Sequence, residues 1–389
     1  MVTVTKLSNK DILKSLLAFI GGNIGLFVMI VLMIVINSKS ATGAYLHDNA
    51  KNIILIVVIT LLLTAILYFY FFFENKYVLT KVSKITEIFL ILYAAMMLSF
   101  IIGKYLNVGG GTENPHPAVV ARPLAFVAMM AAMLFRRRDS IFINTIFALI
   151  MLMLDRFTNI TGLEDDTVQK MYDAYTSFLC TFCGGIVAVF LCRKIKTRIA
   201  AVLVGVCLLI PVETIGMVLH IPAGMTVHSA LEHLLYGALN CVFSVMLFLL
   251  VLPVFEWVFK ELTVFRLREL TSSDAKIIKK LKDQAPGTYN HSVVVSQLVE
   301  ACAREIGDDP DLARAAAFYH DVGKLKNPEY FTENQSDYNF HSELTPELSV
   351  DIIRSHAKDG AKLKKQHHLP EFFADICVQH HGTLPIKYF

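Results

Sequence analysis

The sequence predicts an all-α protein: a polytopic transmembrane helix bundle followed by an all-helical domain exposed to water. Three observations predict it. Of the 389 residues, 55% are hydrophobic and only 18% charged, where an average globular chain has roughly 25% charged residues; the mean hydropathy is +0.54. Up to residue 260 the apolar residues fall in long blocks that few charges interrupt. Beyond it the chain becomes charged, with apolar residues at helical spacing and no alternating runs that would read as strands.

The apolar blocks lie at 12–36, 53–73, 85–103, 121–135, 140–155, 174–192, 199–222 and 229–258. A membrane-spanning helix needs roughly 20 apolar residues, within about 17–25. The fourth and fifth blocks are short, and Arg136, Arg137 and Arg138 divide them, so they are read as two helices. Lys6, Lys10 and Lys14 before the first block resemble the start of a signal peptide. That block is longer than a signal core and has no clear small-residue cleavage site after it, which predicts a retained span. The division expected is 1–50 for an N-terminal transmembrane helix and short loop, and 51–260 for a seven-helix transmembrane domain.

Basic residues alternate with this count. Lys76, Lys81 and Lys84, then Arg136 to Arg138, then Arg193, Lys194, Lys196 and Arg198, and all of the chain after Lys260 fall on one side with the N-terminus. The intervening loops 37–52, 104–120, 156–173 and 222–228 are poor in Lys and Arg, and the third carries Glu164, Asp165 and Asp166. The excess of Lys and Arg inside puts the N-terminus and the C-terminal domain in the cytoplasm of a multi-pass plasma-membrane protein. Trp257 falls where an interfacial anchor belongs. The net charge of +3 is too small to suggest DNA or RNA as a partner; the lipid membrane is the partner expected.

The seven cysteines are odd in number and five lie in apolar stretches, which argues against a disulfide framework. Cys180 and Cys183, next to Gly184 and Gly185, read as small residues packing between membrane helices. Glu213, Glu232 and His233 fall inside predicted spans. Ionisable groups there either pair with one another or the backbone, or sense a ligand or a proton.

In the C-terminal part, 261–284 reads as an amphipathic connector helix and a possible dimer contact. Ala285-Pro286-Gly287-Thr288 then punctuates the chain, and 285–389 forms the soluble domain. Helices are predicted over 289–306, 310–322, 346–357 and 370–381, with Pro310 and Pro370 at starts, where a missing N–H does no harm. Six candidate metal ligands occur there: His291, His320, Asp321, His356, His380 and His381. The spacing predicts each histidine on an apolar face: His291 with Val295, Leu298 and Cys302; His320 with Leu312 and Ala316; His356 over Ile352 and Ile353; His380 over Phe373, Ile376 and Cys377. One such histidine alone would read as a satisfied core residue. Four helices aiming them inward would build a cation site as bundles do, and imidazole plus carboxylate suits iron, manganese or zinc.

The ordered motifs APGTYNHS (285–292), YHDVGK (319–324), ENQ (333–335), SHAKDG (355–360) and QHHGT (379–383) resemble the HD phosphohydrolase superfamily. The chain over 50–389 is similar to membrane receptors of the PgpH type, with the run LVLPVFEWVFKELTVFRLRELT (250–271) like that family's junction between last helix and HD domain. The resemblance implies two divalent metal ions, manganese or iron, and hydrolysis of cyclic di-AMP to pApA under control of the membrane domain. His291, His320 and Asp321 would serve one metal; Asp321, His356, His380 and His381 the other, with Asp321 bridging. Asp321 and Lys324 would be catalytic, Lys324 neutralising charge on phosphoryl oxygens. His341, flanked by Phe340 and Ser342 where the family has Pro and Asp, is given no ligand role. The resemblance also implies a further aspartate beyond the histidine pair and a large extracellular domain after the first span. The sequence here ends at Phe389 and has only 37–52 between those spans, so the expectation is a C-terminally truncated site and no ectodomain. The alternative reading is a non-catalytic cyclic-nucleotide-binding membrane receptor.

Overall fold

The computed structural model describes residues 8–37, 50–106, 121–157, 167–220, 226–367 and 369–382. Most of the four predicted outside loops, the acidic triplet Glu164 to Asp166 and the last seven residues lie outside the described residues. The chain divides into two compact units, Met1–Val254 and Phe255–Phe389. Among the described residues both are helical, and no strand occurs.

The first unit contains α1 (Asn9–Asn37), α2 (Ala50–Glu74), a short α3 (Lys76–Thr80), α4 (Val82–Leu106), α5 (Phe126–Leu134), α6 (Arg137–Phe157), α7 (Thr167–Cys192), α8 (Ala200–His220) and α9 (Val227–Val258). Six of these helices, α1, α2, α4, α7, α8 and α9, are long and apolar enough to cross a membrane. The fourth and fifth apolar blocks became α5 and α6, which are not among the six. At about 1.5 Å per residue, the 9 residues of α5 fall well short of a bilayer. Helix α6 carries Arg137, Arg138, Asp139, Asp155 and Arg156 toward its ends. Both occupy the inside of the bundle: α5 is buried from Phe126 to Ala132, and α6 buries Ile143, Phe147, Ile150 and Leu154. The outer helices do the reverse. They expose Ile20, Ile24 and Phe27 on α1, Val58 and Leu62 on α2, and Leu203, Val206 and Ile210 on α8, an apolar surface of the extent that marks lipid contact. Gly185 lets α7 approach α6, since a Cβ there would lie 2.2 Å from Asn144 Nδ2, and Cys180 is buried with its thiol 3.8 Å from the Val212 carbonyl.

The ionisable residues of the interior are largely others than the three the sequence singled out. Arg122 and Asp155 form a bidentate pair at 2.6 and 2.9 Å, both almost fully buried. Lys84 pairs with Glu87 at 3.1 Å. Glu232 is instead partly exposed and reaches His228, one turn away, at 3.4 Å. Glu213 Oε1 packs against Gly237 of α9, and His233 is buried against Gly216 of α8. The buried charges escaped a span-by-span reading because they sit near helix ends, as Lys84, Glu87 and Asp155 do, or just before a helix, as Arg122 does, where a charge is no anomaly.

The second unit begins at Phe255. The segment 261–284, expected as one connector helix, is two: α10 (Val264–Leu270) and α11 (Lys276–Gln284). Thr263 caps α10 by accepting from the Arg266 amide at 3.2 Å. Leu267, Leu270, Ile277, Ile278 and Leu281 enter the same core as Phe318, Tyr319, Phe373 and Cys377. At roughly 1.5–3 kcal/mol per buried large apolar side chain, this segment is part of the unit's core. Then follow α12 (Pro286–Glu305), α13 (Pro310–Tyr319), four 3₁₀ turns within 322–343, α14 (Pro346–Gln366) and α15 (Glu371–Gln379). Asp309 caps α13 by accepting from the Leu312 amide at 3.0 Å.

Replacing Asp155 with Leu leaves the Arg122 guanidinium buried and uncompensated. Thermal unfolding in detergent is expected to show a loss of about 3–5 kcal/mol. The double replacement Arg122→Met, Asp155→Leu should recover most of it; an undiminished loss in the double variant would show that the pair is not what the single change broke.

Candidate metal centre

The HD doublet lies where the chain stops being α-helical. Helix α13 ends at Tyr319, His320 is its C-cap, and Asp321 starts the 3₁₀ turn Val322–Lys326. The turn lies directly on α14 because Gly323 and Gly360 have no side chains: a Cβ on Gly323 would stand 1.8 Å from the His356 carbonyl oxygen and 2.5 Å from the Gly360 nitrogen. Asp359 ties the same elements together, accepting from Lys326 at 3.1 Å and Lys362 at 3.2 Å. Thus the glycines and aspartate of the YHDVGK and SHAKDG motifs set the distance at which Asp321 meets His356.

All six sequence-predicted ligands come together. Asp321, His356, His380 and His381 offer ligand atoms within 4.8 Å of one another, and His291, His320 and Asp321 do the same. Asp321 belongs to both groups. Its Oδ1 is 3.4 Å from Nε2 of His356 and of His380, and its Oδ2 is 3.2 Å from Nε2 of His320. The Nε2 atoms of His380 and His381 lie 3.3 and 3.2 Å from that of His356. The His291 and His320 rings are 5.6 Å apart.

Backbone carbonyls orient three of these rings. Nδ1 of His320 is 2.6 Å from the Ala317 oxygen, Nδ1 of His356 bonds the Ile353 oxygen, and Nδ1 of His380 is 2.9 Å from the Cys377 oxygen. Each carbonyl selects the tautomer with its proton on Nδ1 and leaves the Nε2 lone pair pointing inward, the arrangement metal-ligating histidines adopt. The consequence is a cluster of electron-rich atoms with too few protons. Asp321 Oδ1 is buried and accepts no hydrogen bond among the described residues. A buried carboxylate oxygen facing bare imidazole nitrogens carries a large desolvation cost, and a cation between them removes it. The donor set fits a divalent metal.

The protonation states of His356 and His381 agree with this. Burial alone would raise the Asp321 carboxyl, yet the adjacent His320 and His380 rings and the charge of Lys324 hold it well below the usual carboxylate range. Burial pushes His356 and His381 down, helped by the neighbouring imidazoles, so they stay neutral with lone pairs free. Burial also works against the charged form of His320, but Asp321 outweighs it and raises that group.

Lys324 is held tightly. Its ammonium lies 2.9 Å from Asp321 Oδ2 and 2.7 Å from Glu333 Oε1, and 4.9 Å from the centre of the Phe331 ring. Glu333 in turn accepts from the Thr288 hydroxyl at 3.0 Å, and Asn334 accepts from the Thr288 amide at 3.1 Å. The ENQ motif therefore joins the start of α12 to Lys324, a role its sequence alone did not reveal. His341 stands apart, with Nε2 2.8 Å from the Tyr330 carbonyl.

One expectation on the faces fails. His291 is exposed, and so are Leu298 and Cys302 on its side of α12. The side that α12 buries carries Thr288, Ser292, Ser296 and Ala303. Helix α12 meets α13 closely through small side chains, so its larger apolar residues are left outward. For α15 the expectation holds, with Phe373 and Cys377 fully buried.

Residues 50–263 match the family described as a 7TM receptor with intracellular HD hydrolase, and residues 288–387 match the HD domain. The chain is 36% identical over 281 residues to the cyclic-di-AMP phosphodiesterase PgpH of Listeria monocytogenes, covering 72% of this chain and 37% of that protein. It is 41% identical over 157 residues to the PgpH of Bacillus subtilis, covering 40% of this chain and 22% of the relative. The chain thus spans well under half the length of these relatives. A crystal structure of the L. monocytogenes PgpH HD domain in complex with cyclic-di-AMP is 53% identical over 29% of this chain and 52% of that chain, with a TM-score of 0.28. With more than half of its length matching, the chain belongs to the family of 7TM receptors with an intracellular HD hydrolase.

Proposed function

We propose that the chain is a membrane-bound phosphodiesterase that hydrolyses cyclic di-AMP to linear pApA at a two-cation HD centre. The observation that carries this is the buried Asp321 Oδ1, which has no hydrogen-bond donor among the described residues and faces the inward nitrogens of His356 and His380. The substrate is taken from the relatives named as cyclic-di-AMP phosphodiesterases. His291, His320 and Asp321 would hold one cation, and Asp321, His356, His380 and His381 the second. Manganese or iron suits such imidazole and carboxylate donors. Two bound cations supply the charge that polarises a phosphoryl oxygen and acidifies the attacking water.

The chain's own residues prepare the rest. The carbonyl bonds at Nδ1 fix the ring planes and increase the basicity of Nε2. Lys324, clamped between Asp321 and Glu333, keeps an ammonium beside the place where phosphoryl charge grows, and needs no reorganisation as it does so. The N-terminus and the HD unit are cytoplasmic in this reading, supported by the basic residues at 76–84, 136–138 and 193–198. The membrane unit regulates the HD unit.

The purified chain in detergent, loaded with Mn²⁺ or Fe²⁺, should convert cyclic di-AMP to pApA, and chelation should abolish turnover until metal is restored. Elemental analysis should find about two metal ions per chain, falling in the Asp321→Asn variant together with activity. No turnover with metal demonstrably bound would sink the enzyme reading, and cyclic di-AMP binding that ignores chelation would leave a receptor.

Glu333→Gln should lower kcat on the order of 10- to 100-fold, as removal of supporting partners does, while metal content stays unchanged. A loss of metal to match would make Glu333 structural to the centre and not a positioning residue for Lys324.

A further inference from the structure

The first unit contains a second polar feature, unconnected with the HD centre. A cavity of about 320 Å³ opens where the α2–α3 turn, the start of α4, the α5–α6 junction and the end of α7 meet. Its polar lining is Asn75, Tyr77, Lys84, Arg136, Asp139 and Arg193. This is the end of the helices at which basic residues gather, at 76–84, 136–138 and 193–198.

The charges in the cavity are unequal. Its one carboxylate, Asp139, is buried and already satisfied, accepting from Asn75 Nδ2 at 2.6 Å and from the Tyr70 hydroxyl at 3.0 Å. Lys84 is neutralised by Glu87 at 3.1 Å and also donates to the Leu134 carbonyl at 3.3 Å. Arg136 and Arg193 have no carboxylate within ion-pair distance among the described residues. Arg193 is nonetheless fixed, because it donates to the Phe135 carbonyl, which leaves the rest of its planar fork free. The 21-residue helix α6 starts beside it at Arg137, with Asp139 in its first turn, and the positive end of that helix faces the same place. The apolar part of the lining is Val78, Met133, Leu134 and Phe135.

Excess guanidinium charge, a helix start and an apolar wall in one cavity at the rim of a membrane bundle match the chemistry of a phosphodiester attached to acyl chains. Basic pockets between membrane helices take such headgroups, and the arginine fork suits phosphate oxygens. We propose that this cavity is a binding site for the phosphate headgroup of an anionic phospholipid, held by Arg193 and Arg136. The site would let the lipid composition of the bilayer act on the membrane unit. It does not rest on the phosphodiesterase reading and can be tested without it.

The test is native mass spectrometry of the purified full chain, titrated in detergent with phosphatidylglycerol or phosphatidylcholine, with thermal unfolding in parallel. The chain should retain phosphatidylglycerol in preference to phosphatidylcholine, and the melting temperature should rise with the anionic lipid only. Arg193→Gln with Arg136→Gln should weaken retention on the order of tenfold. Both residues are exposed, but Arg193 also donates to the Phe135 carbonyl, so Arg136→Gln alone should leave the lipid-free melting temperature unchanged and weaken retention in the same direction. Arg138→Gln and Lys194→Gln, exposed basic residues outside the cavity lining, should bind as the parent does. Equal loss in these controls would reduce the effect to a general basic surface and overturn the site. So would unchanged retention in the double variant. Saturable binding of inorganic phosphate that displaces phosphatidylglycerol would assign the cavity to a soluble anion and overturn the lipid reading.

Discussion

A carboxylate taken out of water needs positive charge or hydrogen-bond donors around it, and the C-terminal unit is arranged about the one that meets this need incompletely. Asp321 receives His320 and Lys324 on Oδ2, while Oδ1 faces His356 and His380 with no donor among the described residues. Four chain segments converge on that oxygen pair: the start of α12, the break after α13, the middle of α14 and the end of α15. Three of them are held there by close approaches that leave no room for a side chain, at Gly287, Gly323 and Gly360. Stability and chemistry are opposed at this point, since an apolar core would be cheaper than five imidazoles around an acid. The arrangement persists because the surrounding core, with Tyr319, Phe373 and Cys377 at its centre, fixes the backbone on which the ligands ride.

The membrane unit solves a related problem by different means. Its interior also contains charge, but as closed pairs: Arg122 with Asp155, Lys84 with Glu87, and Asp139 under Asn75 and Tyr70. Hydrocarbon offers no water to complete a half-made pair, and each of these buried charges has a partner on a neighbouring segment or a helical turn away. Arg122 to Asp155 and Asn75 to Asp139 cross between segments far apart in sequence, and they pin α5 and α6 inside the bundle while the more apolar helices face outward. The open basic cavity at the rim is the exception, and it lies where water and headgroups are available.

Much of the fold was legible because its rules are local. Long apolar blocks, the distribution of Lys and Arg and the motifs from APGTYNHS to QHHGT each carry their meaning within a few residues. The six candidate ligands that come together were legible for the same reason, as histidine beside a carboxylate or a second histidine in an otherwise helical pattern is rarely accidental. The face of His291 was misread: Val295, Leu298 and Cys302 form an apolar stripe, yet α12 packs through Thr288, Ser292 and Ser296, and no periodicity tells which of two usable faces a neighbour will cover. The connector was misread as one helix because Ser272 to Ala275, which divide α10 from α11, carry no proline or glycine to mark the break.

By itself, the sequence determined that the chain is helical, that it is built to meet lipid up to residue 260, and that the part beyond it carries an ordered set of candidate HD ligands, because hydropathy and motif spacing are properties of neighbours along the chain. Only the tertiary structure decided that Asp321 is shared by both ligand groups, that Glu333 clamps Lys324, and that Arg122 finds Asp155. Those are distances of a few ångströms between residues tens of positions apart, set by which helices cross and where glycine lets them touch.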